Sequence, residues 1–123
     1  MTSVETFSTI RFEASGGIAR IVLDRPQVLN AIDPAMVLEI NAAMDRVADD
    51  DAIKVVIVSG EGRAFSAGFD LTTSAARGPL TIAQWRQVLE DDLDLILRFW
   101  DCPKPTIAAI HGYCIGGAFE IAL

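Results

Sequence analysis

The sequence has 123 residues, 51% of them hydrophobic and 22% charged, enough for one modest domain with a core of its own. Ten basic residues against 17 acidic ones give a net charge of -7, which argues against nucleic acid or an anionic membrane as partner but leaves room for a small phosphorylated ligand. No run approaches the ~18 apolar residues of a membrane-spanning helix, the first residues lack a signal-peptide pattern, and Cys102 and Cys114 form neither a C-x-x-C pair nor a disulfide framework, so a cytoplasmic protein with reduced thiols is expected.

Residues 6–13 and 18–23 alternate apolar and polar side chains around Gly16-Gly17, which predicts a β-hairpin. Residues 24–30 form a loop, because Pro26 does not suit a strand interior. Asp33-Pro34 then reads as a helix start, with aspartate as N-cap and proline at the first helical position. Val37, Ile40, Met44 and Val47 recur at helical spacing and carry that helix to about residue 49. A strand is expected at 54–59, followed by a glycine turn, and residues 72–79 read as an irregular surface loop. Thr81 with Gln84 fits a capping box, after which Trp85, Val88, Leu89, Ile96, Phe99 and Trp100 mark one face of a long amphipathic helix. Pro103-Lys104-Pro105 stops it. A buried strand at 106–110, a second glycine turn and the first turn of a helix from Ala118 complete the chain. Strands alternating with helices define an α/β architecture, and no linker divides it.

The two glycine turns are Phe65-Ser-Ala-Gly-Phe-Asp-Leu71 and His111-Gly-Tyr-Cys-Ile-Gly-Gly-Ala-Phe-Glu120. Each follows an apolar strand, and glycine lets backbone approach a ligand closely enough to aim N–H groups at an anionic atom. Two such groups converging make an oxyanion hole, and Glu120 stands just past the second turn, where an acid/base group can serve the same atom. Its apolar neighbours Phe119, Ile121 and Ala122 suggest burial, which raises a carboxyl toward the range of a general base. Without further information an N-terminal helix glutamate that merely complements the helix dipole is the simpler assignment.

Other chemistry-bearing residues have plainer explanations. His111 is the only histidine and is expected to be structural, and Ser59 and Ser66 form no defensible Ser-His-acid pattern. Cys114 is expected to be a small packed residue, Asp70 to fix its turn by bonding nearby amides, and Trp85 and Trp100 to anchor a core or an interface. Glu90, Asp91, Asp92 and Asp94 read as a solvated helix face. No clustered set has metal-ligand spacing, and residues 112–117 do not form the G-x-G-x-x-G of a dinucleotide site.

Four segments, Ile21-Val-Leu-Asp-Arg-Pro26 with Leu29-Asn30-Ala31, then 55–60, 62–71 and 104–120, resemble in order and spacing the enoyl-CoA hydratase/isomerase (crotonase) superfamily. The resemblance covers almost the whole chain. It implies an α/β crotonase-like (ClpP/crotonase) fold of repeated ββα units, assembled as homotrimers or dimers of trimers. Complete members are about twice this length, so it further implies a single crotonase-like domain over residues 1–123 that is incomplete at its C-terminus, the N-terminal core portion only. The ligand implied is an acyl-CoA thioester, with coenzyme A entering as part of the substrate and no separate cofactor or metal. The family's oxyanion donors map onto the backbone N–H groups of Phe69 and Gly117, and Glu120 matches one of two glutamates that hold and activate water, the second falling later than residue 123. Arg25, Val28 and Leu29 match the family's CoA contacts, although Arg25 reads equally well as a solvated loop arginine. Ala64, Ser66, Ala67, Gly68, Asp70, Leu71 and Gly116 match positions bordering the thioester. The implied reaction is the addition of water to a 2-enoyl-CoA in fatty acid metabolism. The alternatives are double-bond isomerisation within the superfamily and acyl-CoA binding without turnover.

Overall fold

The computed structural model describes residues 3–123. Five strands form one sheet in chain order, β1 (Ser3–Thr6), β2 (Ile10–Ser15), β3 (Ile18–Leu23), β4 (Val55–Gly60) and β5 (Thr106–Ala108). The first two pairings are antiparallel and the last two parallel. The β2–β3 hairpin closes on Gly16-Gly17, both at positive φ, with Ser15 opposite Ile18, the two-residue turn whose twist matches its strands. Among the described residues four α-helices accompany the sheet: α1 (Pro34–Asp49), α2 (Leu71–Ala76), α3 (Ile82–Trp100) and α4 (Gly117–Ala122).

Alternation along β2 places Ile10, Phe12 and Ala14 inside and Arg11, Glu13 and Ser15 outside. Ile21 and Leu23 of β3 and Val56 and Val58 of β4 join the same core. Met36, Ile40, Ala43, Met44 and Val47 of α1 cover it, each large apolar side chain adding roughly 1.5–3 kcal/mol on burial. Asp33 caps α1 as expected, accepting from the Met36 N–H at 2.8 Å. At the other end the Lys104 ammonium donates to the carbonyls of Val47 and Asp50, a cation placed where the helix dipole favours it. Both halves of the Thr81–Gln84 capping box are formed on α3. Among the described residues no helix is long and apolar enough to cross a membrane.

Four expectations change. Residues 6–13 do not form one strand, because the chain breaks between Thr6 and Ile10 and pairs back as β1 and β2. The cause is Glu39 of α1, whose carboxylate accepts from the N–H and hydroxyl groups of both Ser8 and Thr9. Residues 72–79 are not wholly irregular, since α2 occupies their first half, started by Asp70. The apolar face of α3 buries only Leu95 and Phe99, while Trp85, Leu89 and Trp100 stay exposed. The strand at 106–110 shortens to Thr106–Ala108 and is not buried, with Ile107 and Ile110 each half exposed on the sheet edge.

The Glu39 cluster makes folding pH-dependent. Partial burial works to raise its carboxyl, but the bonds from the Thr9 and Ser8 hydroxyls and from both backbone N–H groups outweigh it and hold the group below the usual glutamate range. A depressed folded value gives stability that is complete above the unfolded value, about 4.3, and is lost as pH falls through the folded one. Urea midpoints recorded from pH 6 down to 2.5 should therefore fall less steeply in Glu39→Gln than in the wild type.

Candidate active site

The two glycine turns lie side by side. Ser66 and Cys114 form a parallel bridge in which the Ser66 N–H donates to the Tyr113 carbonyl at 3.0 Å and the Ile115 N–H donates to the Ser66 carbonyl at 3.2 Å. The Phe65 N–H donates to the His111 carbonyl at 2.8 Å, and the His111 imidazole returns a bond to the Gly62 carbonyl at 2.6 Å. His111 thus pins one turn to the other. Cys114 is half-buried, and burial pushes its thiol up, away from thiolate reactivity.

A second parallel bridge fixes the backbone of Phe69. Ile32 donates to the Gly68 carbonyl and accepts from the Asp70 N–H, both at 2.8 Å. In a parallel bridge the neighbours of the bridged residue make the bonds, so the N–H of Phe69 itself faces the opposite way. Gly117 opens α4, where a first-turn N–H has no acceptor within the helix. Neither N–H enters the bonds that join the turns. Both residues border one groove of about 480 Å³, together with Val28, Ala67, Gly68, Leu71 and Gly116.

Close approach explains the glycines. Gly68 has φ +94, and a Cβ there would lie 2.6 Å from the Ile115 carbonyl oxygen. A Cβ at Gly117 would meet the Phe69 ring at 2.3 Å. The turns can touch only where side chains are absent.

Asn30 is the residue that sequence reasoning missed. It is fully buried at φ 54, a left-handed conformation that asparagine tolerates better than most residues. Its amide donates to the carbonyls of Glu61, Ala64 and Phe65 at 2.9, 2.9 and 3.2 Å and accepts from the Arg25 N–H at 2.8 Å. The Ser66 hydroxyl donates to the Asn30 carbonyl at 2.7 Å and accepts from the Gly68 N–H at 3.1 Å. Ser66 is therefore buried beneath the groove and holds the backbone that carries Phe69. The only available signal was an asparagine within a proline-bent loop.

Several expected site residues stand elsewhere. Ala64 is buried behind the turn, and Leu29 does not border the groove. Arg25, with 19% of its side chain exposed, is not a solvated loop arginine: it donates to the Ala31 carbonyl at 2.6 Å and pairs with Asp70 at 3.2 Å and Asp33 at 3.5 Å. Asp70 also accepts from the Thr72 and Thr73 N–H groups. Burial works to raise its carboxyl, but those amides and Arg25 outweigh it and hold it ionised below the usual range. Glu120, one helical turn beyond Gly117, is exposed rather than buried, as is Phe119 beside it, although Gly117 and Ala118 of the same helix are buried. Glu120 borders a different hollow, between α3, α4 and β5. The groove therefore offers backbone donors and apolar walls, with the carboxylate of Asp70 already engaged.

The chain is similar to known proteins in sequence and fold. The family described as enoyl-CoA hydratase/isomerase matches residues 13–123. A probable enoyl-CoA hydratase of Rhodobacter capsulatus is 37% identical over 119 residues, 96% of this chain and 44% of that protein. A probable peroxisomal enoyl-CoA hydratase of Arabidopsis thaliana is 36% identical over 111 residues, covering 89% of this chain and 39% of that protein. The crystal structure of an enoyl-CoA hydratase/isomerase from Xanthobacter autotrophicus superposes with a TM-score of 0.93 at 51% identity, over 96% of this chain and 44% of that one. The chain thus spans under half the length of the relatives it matches, and its fold is the N-terminal portion of theirs.

Proposed function

The chain belongs to the enoyl-CoA hydratase/isomerase family, and on that premise we propose that its paired glycine turns form the oxyanion hole of an enoyl-CoA hydratase-like lyase acting on 2-enoyl-CoA thioesters. The observation that carries the proposal is the pair of backbone N–H groups, of Phe69 and Gly117, left out of the turn-to-turn bonds and bordering one groove. Adding water across the double bond beside a thioester carbonyl builds enolate charge on the thioester oxygen. Preorganised amides oppose that charge without having to reorient, and each is worth about 3 kcal/mol of barrier. Glu120, one helical turn past Gly117, is the acid/base group that the family resemblance assigns. Coenzyme A arrives as part of the substrate.

Hydration also requires a second carboxylate to hold the water, whereas double-bond isomerisation needs one to carry a proton. Glu120 matches one of the two hydratase glutamates, which keeps hydration first and isomerisation as the second reading. Product analysis of the full-length protein separates the two: hydration consumes a 2-enoyl thioester to a 3-hydroxyacyl product, and isomerisation converts a 3-enoyl thioester into its 2-enoyl form. Failure to process either sinks both readings. The homotrimer or dimer of trimers expected of the family belongs to the same proposal.

Ser66 supplies a graded test. In Ser66→Ala the Gly68 N–H loses its acceptor and the Asn30 carbonyl its donor, which costs about 1–3 kcal/mol of stability. Loosened positioning of the Phe69 amide should lower kcat about tenfold with KM little changed. An unchanged kcat would separate Ser66 from the site.

A further inference from the structure

The groove beside the glycine turns and a second cavity, of about 400 Å³ between α1, α2 and α3, share two lining residues, Phe69 and Asp70. Asp70 cannot swing, because Thr72, Thr73 and Arg25 hold its carboxylate. Phe69 is different. One edge of its ring occupies the space that a side chain at Gly117 would fill, and it is only partly buried against the core. The ring therefore stands as the partition between the two spaces. Beyond it the cavity has Ile32, Val37 and Val88 in its wall, together with Arg77 and the carboxylates of Asp33, Asp91, Asp92 and Asp94.

Resting on the reading of the groove as the thioester site, we infer that the Phe69 side chain sets acyl-chain length: short 2-enoyl groups are accepted, and longer apolar chains are refused because the ring blocks their way into the second cavity. The backbone N–H of Phe69 and its ring thus do separate work, one on the thioester oxygen and the other on the far end of the acyl group. The part of the cavity formed by Ile32, Val37 and Val88 suits methylenes, each of which is worth about fourfold in affinity on burial.

The test compares kcat/KM for 2-butenoyl-CoA and 2-decenoyl-CoA on the full-length wild type, Phe69→Ala, Val88→Phe and the double variant. Phe69→Ala keeps the N–H and removes the ring, and the ratio of decenoyl to butenoyl kcat/KM should rise at least about tenfold. Val88→Phe refills the cavity, so the double variant should return toward the wild-type ratio, while Val88→Phe alone leaves butenoyl turnover unchanged. If Phe69→Ala folds poorly, Phe69→Leu should move the ratio the same way by less. A wild type that already turns over both substrates equally, or an active variant with an unchanged ratio, overturns the partition and leaves the hydratase reading standing. Absence of turnover of either thioester by the wild type overturns that reading and the partition with it.

Discussion

Gly68→Ala is expected to destabilise the fold by about 2–5 kcal/mol and to lower turnover by about 10²–10³. The φ of +94 at Gly68 costs a residue bearing a Cβ on the order of 1–2 kcal/mol. The added methyl would lie 2.6 Å from the backbone oxygen of Ile115, and overpacking against backbone adds about 1–3 kcal/mol. Relief requires the two turns to part. Parting moves the Phe69 and Gly117 amides away from a shared target, which removes most of the value of one donor. Gly16→Ala is the control: it has φ +60 but nothing within 4 Å of its Cβ, so it should show the conformational cost alone and leave turnover intact. Chemical denaturation and steady-state kinetics on both variants decide the matter. Equal effects at the two sites would mean that contact between the turns is irrelevant.

Glu120→Gln is expected to lower kcat by about 10²–10⁴ with the unfolding midpoint nearly unchanged. The side chain is exposed and makes no side-chain hydrogen bond or ion pair among those described, so the fold gains little from its charge. Glutamine keeps the shape but cannot take a proton. A loss of turnover without loss of stability identifies chemistry, whereas wild-type turnover in this variant would remove Glu120 from the mechanism.

Signals confined to a few residues were legible in the sequence. Gly16-Gly17, Asp33-Pro34 and Thr81 with Gln84 each specify a turn or cap through neighbours within about four positions, and each forms as expected. The break in the first strand was not legible, because it depends on Glu39, about 30 positions from Ser8 and Thr9. The start of α2 was within reach: Asp70 followed by Thr72 and Thr73 is an N-cap pattern, masked by small polar residues that suit loops equally well. Periodicity located the apolar face of α3 but could not say what covers it, and within this chain only Leu95 and Phe99 are covered. The same limit applies to Glu120, whose apolar neighbours suggested burial that the described residues do not provide.

Within the candidate site, the two glycine turns stood out because close backbone approach leaves a mark in composition. Asn30 and Ser66 did not, since their importance lies in carbonyls and amides brought near by the fold. Arg25 read either as a CoA contact or as a solvated loop arginine, and in the fold it pairs with Asp33 and Asp70 at the caps of α1 and α2. A guanidinium in a loop carries no record of which anion it meets.

The most direct measurement is the position of the thioester oxygen in a crystal structure of the full-length protein with a saturated, unreactive acyl-CoA bound. The oxyanion-hole account predicts that oxygen at about 2.7–3.1 Å from both the Phe69 and the Gly117 backbone nitrogens. A thioester bound elsewhere, or an oxygen held by one nitrogen while the other bonds to protein, would contradict it.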